Sequence, residues 1–185
     1  MGSTARSLER TPPLVRRAEE LAERLGFTRS CEPEVGRLLH LLAAQRGRLR
    51  VGEIGTGTGV GAAWIVAALR PEVPFFTAEL DPERAAEVAA LFAKDEHVQV
   101  LQGDWRDVLV PEAPFDLLFV DSGPSKADAA LPGLIAPGGT VVLDDLTPGR
   151  TDDPVRDLWL GHVDYAATEL LVTPSHAVIV AVRAR

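Results

Sequence analysis

The segment Glu53-Ile54-Gly55-Thr56-Gly57-Thr58-Gly59-Val60-Gly61 has the composition of a ligand-binding loop. It follows a short apolar run, and its four alternate glycines let the backbone turn tightly and approach a ligand at the end of a strand. Residues Gly57 to Ala62 also satisfy the G-x-G-x-x-G/A pattern of dinucleotide sites. A glycine-rich turn without a ligand is the plainer alternative. The spacing predicts a ligand site and leaves the class of ligand open.

Two acidic residues narrow the choice of ligand. Glu79 ends the next apolar run, where a carboxylate accepts hydrogen bonds from the two hydroxyls of a ribose. That feature is common to several nucleoside cofactors. Glu53 stands ahead of the glycines, where a dinucleotide site usually has an apolar strand residue. A carboxylate at that position suits a ligand that carries an ammonium group and, nearby, a sulfonium.

Three aspartates form a second candidate site. Asp121 ends one predicted strand, and the pair Asp144-Asp145 ends the next. Parallel neighbours bring their carboxyl ends to one edge, where three carboxylates repel one another unless a cation is bound. Oxygen ligands without His or Cys favour Mg²⁺, with Ca²⁺ or Mn²⁺ as alternatives. Strand-end acids that face water or cap a loop are the competing interpretation.

The chain lacks the signatures of several other enzyme classes. It contains no G-x-S-x-G, no Walker A sequence and no H-E-x-x-H. The four histidines are scattered, so a surface or loop position is expected for each of them. Hydrolase and nucleoside-triphosphatase functions therefore find no support.

Alternating strands and helices are predicted to position these residues. Apolar runs that indicate strands are Leu49 to Ile54, Pro74 to Leu80, Val98 to Leu101, Phe115 to Val120 and Thr140 to Leu143. Helical patterns between them are Ala62 to Leu69, Pro82 to Phe92 behind the N-cap candidate Asp81, a short turn after Trp105, and Ala127 to Leu134. This order predicts a parallel sheet with helices on both faces.

The two ends of the chain depart from that alternation. Two helices come first, one from Pro13 to Gly26 and one from Pro33 to Gly47. Near the other end, a short helix at 155–160 precedes two apolar runs, 166–172 and 177–182. Only four residues separate these runs, so the last strand is expected to run antiparallel to the others.

Composition limits the class of protein. The chain has 185 residues, 46% of them hydrophobic, and a net charge of −8, which suits one globular domain and speaks against nucleic acid as a partner. Cys31 is the single cysteine, so no disulfide forms within the chain. Met1 to Arg10 is polar, and no apolar stretch approaches ~20 residues. We expect no signal peptide, no membrane partner and a cytoplasmic location.

Six short segments, in this order, resemble the class I S-adenosylmethionine-dependent methyltransferases, and among them the small O-methyltransferases related to catechol O-methyltransferase. The segments are Glu34-Val35-Gly36-Arg37-Leu38-Leu39, the loop from Glu53 to Gly59, Glu79-Leu80-Asp81, Gly103-Asp104-Trp105, Phe115 to Asp121, and Pro137 to Asp145. The resemblance extends from Ser30 to Val182. It implies a Rossmann-like, doubly wound α/β sheet of seven strands in the order 3-2-1-4-5-7-6, with strand 7 antiparallel.

The resemblance also implies roles for particular residues. Gly55, Gly57 and Gly59 would pass under the methionine part of S-adenosylmethionine, with Glu53 near its ammonium and Glu79 on its ribose. Asp104 and Trp105 would lie at the adenine, although a helix N-cap and an ordinary half-buried aromatic are the alternatives for these two. Thr56 and Asp121 complete the predicted cofactor contacts. The metal ligands would be Asp121, Asp144 and Asp145.

The implied reaction is attack of a metal-bound hydroxyl on the sulfonium methyl, with Asp121 and Lys126 as catalytic candidates. Lys126 follows Asp121 by five positions where the family has three, so we interpret it as a surface residue. The family's Asp-Gly between the last two strands is replaced by Thr173-Pro174-Ser175-His176, and its tyrosine after the lysine is absent. Catechols therefore cannot be assumed as acceptors.

The sequence thus leads to the hypothesis of an S-adenosylmethionine-dependent O-methyltransferase with a small-molecule acceptor and a hard divalent cation. Residues 1–48 are expected to form a helical segment that packs on a cofactor-binding domain of residues 49–185. A homodimer is the assembly that we expect. Two alternatives stay open: an NAD(P)-dependent oxidoreductase, and a cofactor-binding module of the same fold that has lost catalysis.

Overall fold

A computed structural model describes residues 11–184 as a doubly wound α/β fold, which confirms the predicted class. The strands are β1 (Val51–Ile54), β2 (Phe75–Glu79), β3 (Val98–Gln102), β4 (Phe115–Val120), β5 (Ile135–Leu146), β6 (Tyr165–Thr173) and β7 (His176–Arg183). They form one sheet in the order β3-β2-β1-β4-β5-β7-β6. All pairs among strands β1 to β5 are parallel. β7 is antiparallel to both β5 and β6, as expected from the hairpin-length gap before it.

The helices are α1 (Pro13–Leu25), α2 (Pro33–Ala43), α3 (Val60–Val66), α4 (Pro82–Leu91), α5 (Trp105–Val108) and α6 (Pro154–Leu160). Local signals explain several boundaries. α1 ends at Gly26, whose φ of 64° closes the helix in the left-handed region. Asp81 caps α4 by accepting hydrogen bonds from the amides of Glu83 and Arg84 at 3.0 Å each. α2 stops at Ala43, short of the predicted Gly47.

Both faces of the sheet are covered by apolar side chains. On one face, α1 to α4 pack on the sheet through a cluster that includes Val35, Leu39, Ile65, Phe75 and Phe119. On the other face, the short helices and turns contribute to a cluster that includes Leu109, Leu118, Leu131, Val141 and Trp159. The carboxyl ends of the strands are therefore held rigidly against one another. Within residues 11–184, no helix is long and apolar enough to cross a bilayer.

The helix predicted over Ala127 to Leu134 is wrong. This segment contains turns and a single 3₁₀ turn at Leu131–Leu134, because Pro132 lacks an amide hydrogen and Gly133 disfavours helix. β5 is longer than predicted, since it begins directly after this turn. The second face is consequently covered by short elements. The polar segment Met1 to Arg10 lies outside the described residues.

Candidate active site

A cavity of about 470 Å³ opens at the carboxyl ends of the parallel strands. Strand order reverses between β1 and β4, and the crevice outside such a reversal is where open α/β sheets bind ligands. Most of the predicted site residues line this cavity: Gly55, Thr56, Gly57, Glu79, Asp104, Trp105, Asp121 and Asp145. The segment between α1 and α2, from Phe27 to Cys31, contributes to the wall.

The glycine loop needs its glycines for conformational reasons. Gly55, Gly57 and Gly59 have φ values of 92°, 56° and 83°, all in the left-handed region that side chains rarely adopt. A Cβ on Gly55 would also lie 2.7 Å from the carbonyl oxygen of Asp121. The loop therefore runs close to the end of β4. The alternation of glycines that the sequence displays is required by this path.

Glu79 ties the loop to the end of β2. Its Oε2 accepts a hydrogen bond from the Gly57 amide at 2.8 Å, and its Oε1 accepts one from the Asp81 amide at 2.9 Å. Arg84 donates to the same Oε1 through Nη2 at 2.7 Å, and its guanidinium lies 5.6 Å from the centre of the Phe27 ring. The carboxylate is buried, faces the cavity and is held in one orientation.

Glu53 lies deeper than the cavity-lining residues. It is 1% exposed, accepts a hydrogen bond from Thr77, and lies beside α3, where a Cβ on Gly61 would come within 2.8 Å of its Oε1. Burial raises the pKa of Glu53 to about 8, the hydrogen bond from Thr77 lowers it, and the charge of Glu79 adds to the increase. Its contact with the ammonium of a ligand stays a prediction.

Two buried polar atoms at the cavity have no hydrogen-bond partner within the described part of the chain. They are Oγ1 of Thr58 in the glycine loop and Nε1 of Trp105 at the start of α5. Unsatisfied buried groups of this kind are costly unless a ligand or water pairs with them. Asp104 caps α5 by accepting from the Arg106 amide at 2.9 Å, so the N-cap interpretation is confirmed for this residue. Thr58 was not among the predicted site residues, although its place between two loop glycines was a signal.

The three aspartates meet at one rim, as the strand order predicted. Burial first, and then the charges of Asp144 and Asp145, raise the pKa of Asp121 to about 9, while Lys126 acts in the opposite direction. Burial also raises the pKa of Asp144, against the hydrogen bond from His176. Asp145 differs from both because it is mostly exposed and has a φ of 55°. We call the set Asp121, Asp144 and Asp145 the acidic rim.

His176, which we expected at a surface or loop, contacts the acidic rim. Its Nε2 lies 2.9 Å from Oδ1 of Asp144 and 3.6 Å from Oδ1 of Asp145. One ligand atom from each of these three residues lies within 4.8 Å of the others, so they form a possible donor set that leaves out Asp121. Because β7 pairs antiparallel with β5, its first residue comes to the end of β5. The predicted hairpin was the signal for this contact.

The interpretation of Lys126 as a surface residue is wrong. It is 3% exposed, and its Nζ lies 3.5 Å from Oδ2 of Asp145. The carbonyl oxygen of Lys126 accepts a hydrogen bond from Nε1 of the buried Trp159 at 2.9 Å. A 3₁₀ turn over Gly123–Ser125 shortens the path from Asp121 and returns the chain to the rim. Spacing alone did not reveal this return.

Comparisons with known proteins agree on one family. A model described as a methyltransferase domain matches residues 53–146. A Mycobacteroides abscessus protein that carries the name O-methyltransferase is 30% identical over 132 residues, which are 66% of this chain and 61% of that protein. A Mycobacterium ulcerans relative of the same name is 30% identical over 171 residues, 82% of this chain and 76% of that protein. The matched region spans less than two thirds of the length of the first curated relatives.

Solved structures share the fold. The O-methyltransferase TomG from Streptomyces achromogenes, crystallised with S-adenosylmethionine, aligns over 96% of this chain and 92% of its own, with a TM-score of 0.77 and 24% identity. The Bacillus cereus O-methyltransferase, crystallised with S-adenosylhomocysteine, aligns over 95% of this chain and 93% of its own, with a TM-score of 0.79 and 19% identity.

Proposed function

Because the chain belongs to the class I S-adenosylmethionine-dependent O-methyltransferase family, we propose that it transfers a methyl group from S-adenosylmethionine to a hydroxyl oxygen of a small molecule. The observation that carries this proposal is the cavity at the reversal of strand order, where the glycine loop and the buried Glu79 carboxylate lie together. A nicotinamide-dependent oxidoreductase is not favoured, since the family match and the structural relatives are methyltransferases.

The residues of the cavity fit this cofactor. Thr58 Oγ1 and Trp105 Nε1 lack partners in the described chain and offer hydrogen bonds to a polar ligand. In the proposed complex, the backbone of Gly55, Thr56, Gly57 and Gly59 would pass under the methionine part. Glu79 would accept from the ribose hydroxyls, and Asp104 with Trp105 would contact the adenine. Glu53 and Asp121 would lie near the positively charged part of the cofactor.

When bound, S-adenosylmethionine supplies an electrophilic methyl group that is transferred by in-line displacement. The contribution of this chain is alignment and exclusion of water. Asp121 and Asp145 both line the cavity. One of these carboxylates would take the proton of the acceptor hydroxyl as its oxygen bonds to the methyl group and S-adenosylhomocysteine leaves. Lys126 is absent from the cavity lining but contacts Asp145, so it acts on the acceptor through that carboxylate.

A divalent cation at the acidic rim is part of the proposal. The donor set of Asp144, Asp145 and His176 fits a small divalent ion, and the imidazole nitrogen favours Mn²⁺ over the Mg²⁺ that an all-oxygen set suggests. Such an ion, when bound, lowers the pKa of a coordinated hydroxyl. Within this set Asp144 is the buried member, and without an ion its Oδ1 lies 2.9 Å from Nε2 of His176.

The remaining sequence hypotheses stay predictions. We propose that residues 1–48 form a helical segment on a cofactor-binding domain of residues 49–185, which is supported by the packing of α1 and α2 on α3. The small-molecule acceptor is likewise a proposal.

Calorimetry with S-adenosylhomocysteine tests the cofactor, and transfer of a labelled methyl group to a panel of hydroxylated acceptors tests the reaction. We expect saturable binding of one molecule per chain and label in at least one acceptor. Absence of S-adenosylhomocysteine binding would contradict the proposed function. Binding without transfer to any acceptor would favour the catalytically silent module.

A further inference from the structure

Lys126 places a buried ammonium group beside the acidic rim. Its side chain is 4% exposed, and the neighbouring Asp145 lies 3.5 Å away through Oδ2. The backbone at Lys126 is fixed by the hydrogen bond from the indole of Trp159, a fully buried residue of the core. The position of this ammonium is therefore set by the fold and not by a flexible surface side chain.

The acidic rim requires positive charge. Asp144 is 1% exposed and Asp145 follows it directly, so two carboxyl groups lie side by side at the end of β5 and repel one another when both are charged. A lysine ammonium is a compact positive charge, and at 3.5 Å from Oδ2 of Asp145 it offsets the charge of that carboxylate. His176 contacts Oδ1 of both Asp144 and Asp145, while Lys126 contacts Oδ2 of Asp145. The chain thus brings its own cationic group to the place where the family resemblance implies a metal.

We propose that Lys126 is a resident cation of the acidic rim, which neutralises Asp145 and thereby weakens the binding of a divalent ion to Asp144, Asp145 and His176. An ion bound by these three residues would share Asp145 with the ammonium and be repelled by it. The inference rests on the proposed function only for the location of the metal site. Binding of S-adenosylhomocysteine tests the proposed function separately.

The experiment measures Mn²⁺ affinity of the full chain without cofactor, by electron paramagnetic resonance of free Mn²⁺. Lys126→Met removes the charge and keeps an unbranched apolar chain, while Lys126→Arg keeps the charge. The matched control is Lys94→Met, which changes the other lysine of the sequence, an exposed residue. We expect Lys126→Met to bind Mn²⁺ about tenfold or more tightly than the wild type, because a like charge next to the ion is gone. Lys126→Arg and Lys94→Met should resemble the wild type.

Equal Mn²⁺ affinities of Lys126→Met and the wild type overturn the inference, as does the absence of Mn²⁺ binding in both. A gain that Lys126→Arg shows to the same extent also overturns it, because packing and not charge would then be responsible. If Lys126→Met does not fold, Lys126→Gln makes the same comparison. Retained S-adenosylhomocysteine binding in the variants shows that the cofactor cavity is intact.

Discussion

Two regions lie at the carboxyl ends of the strands, and their charges are balanced in different ways. In the nucleotide half, which comprises the glycine loop, Glu79 and the Asp104-Trp105 pair, the buried carboxylate of Glu79 is already matched by two amides and Arg84. In the acidic half, which comprises the acidic rim with Lys126 and His176, three carboxyl groups lie near the ammonium of Lys126 and the imidazole of His176. The first half is preorganised for a ligand. The charge balance of the second depends on which cations are present.

Backbone conformation follows the same division. The nucleotide half uses glycine at its left-handed positions, where such conformations carry no steric penalty. The acidic half has Asp145 at a φ of 55°, which costs about 1 kcal/mol or more for a residue with a side chain. Among non-glycine residues, aspartate tolerates this region comparatively well. The exposed carboxylate of the rim thus lies at an irregular position near the end of β5, where the register with β7 shifts between Leu143 and Leu146.

The largest effect is expected from Glu79→Ala in the nucleotide half. Loss of the carboxylate frees the Gly57 amide and removes the proposed ribose contact, and hydrogen bonds to charged groups contribute about 1.5–3 kcal/mol each. We predict a loss of S-adenosylhomocysteine affinity of about 100-fold by calorimetry. Glu83→Ala, at a nearby exposed position, is the control and should bind normally. Unchanged affinity in Glu79→Ala would remove this residue from the cofactor site.

Asp144→Asn sharpens the comparison because it should affect only the acidic half. The substitution keeps the size of the side chain and removes the buried charge that His176 contacts. We predict that Mn²⁺ affinity falls about 30-fold, while S-adenosylhomocysteine affinity changes less than about twofold. The exposed Asp152→Asn is the matched control. Parallel losses of both ligands in Asp144→Asn would mean that the two halves are not independent.

Thr58→Val tests whether the partnerless hydroxyl of the nucleotide half serves a ligand. The free protein should be equally or more stable to heat, because an unsatisfied buried hydroxyl is replaced by a methyl group. Affinity for S-adenosylhomocysteine should fall about three- to tenfold, the effect of one hydrogen bond. Thr58→Ser should restore it. A variant that loses stability but keeps its affinity would assign the hydroxyl to the fold.

Glu53→Gln is expected to leave the ligand sites largely unchanged and to alter the dependence of stability on pH. The pKa of Glu53 is about 8 in the folded chain against an ordinary value of 4.5, so the folded state retains a proton that the unfolded state releases. The protonated Glu53 therefore contributes its full stability to the folded chain below about pH 4.5, and this stability is lost as pH rises through about 8. The melting temperature of Glu53→Gln should exceed that of the wild type by more at pH 8.5 than at pH 5, because only at the higher pH must the wild type hold a charged carboxylate in the core. A difference in melting temperature that is independent of pH would contradict the raised pKa of Glu53.

The sequence predicted most of the nucleotide half because its signals are local. The loop from Glu53 to Gly59 is continuous, and Glu79 follows an apolar strand, so strand order alone brings them together. Asp121, Asp144 and Asp145 were predicted at one rim for the same reason. The segment from Ala127 to Leu134 was predicted incorrectly because its apolar spacing resembles a helix, while Pro132 and Gly133 prevent one.

The sequence by itself determined the parallel sheet, its antiparallel last strand and the ligand loop, since alternating apolar runs and glycine spacing are properties of contiguous residues. The order of the strands was predicted from the family resemblance. Only the tertiary structure decided the place of Lys126 and His176. Lys126 reaches Asp145 because a tight turn and the indole of Trp159 return the chain to the rim. His176 reaches Asp144 because β7 begins beside the end of β5. Contacts between residues far apart in sequence depend on the conformation of turns and on the register of paired strands. Local residue patterns do not specify either of these.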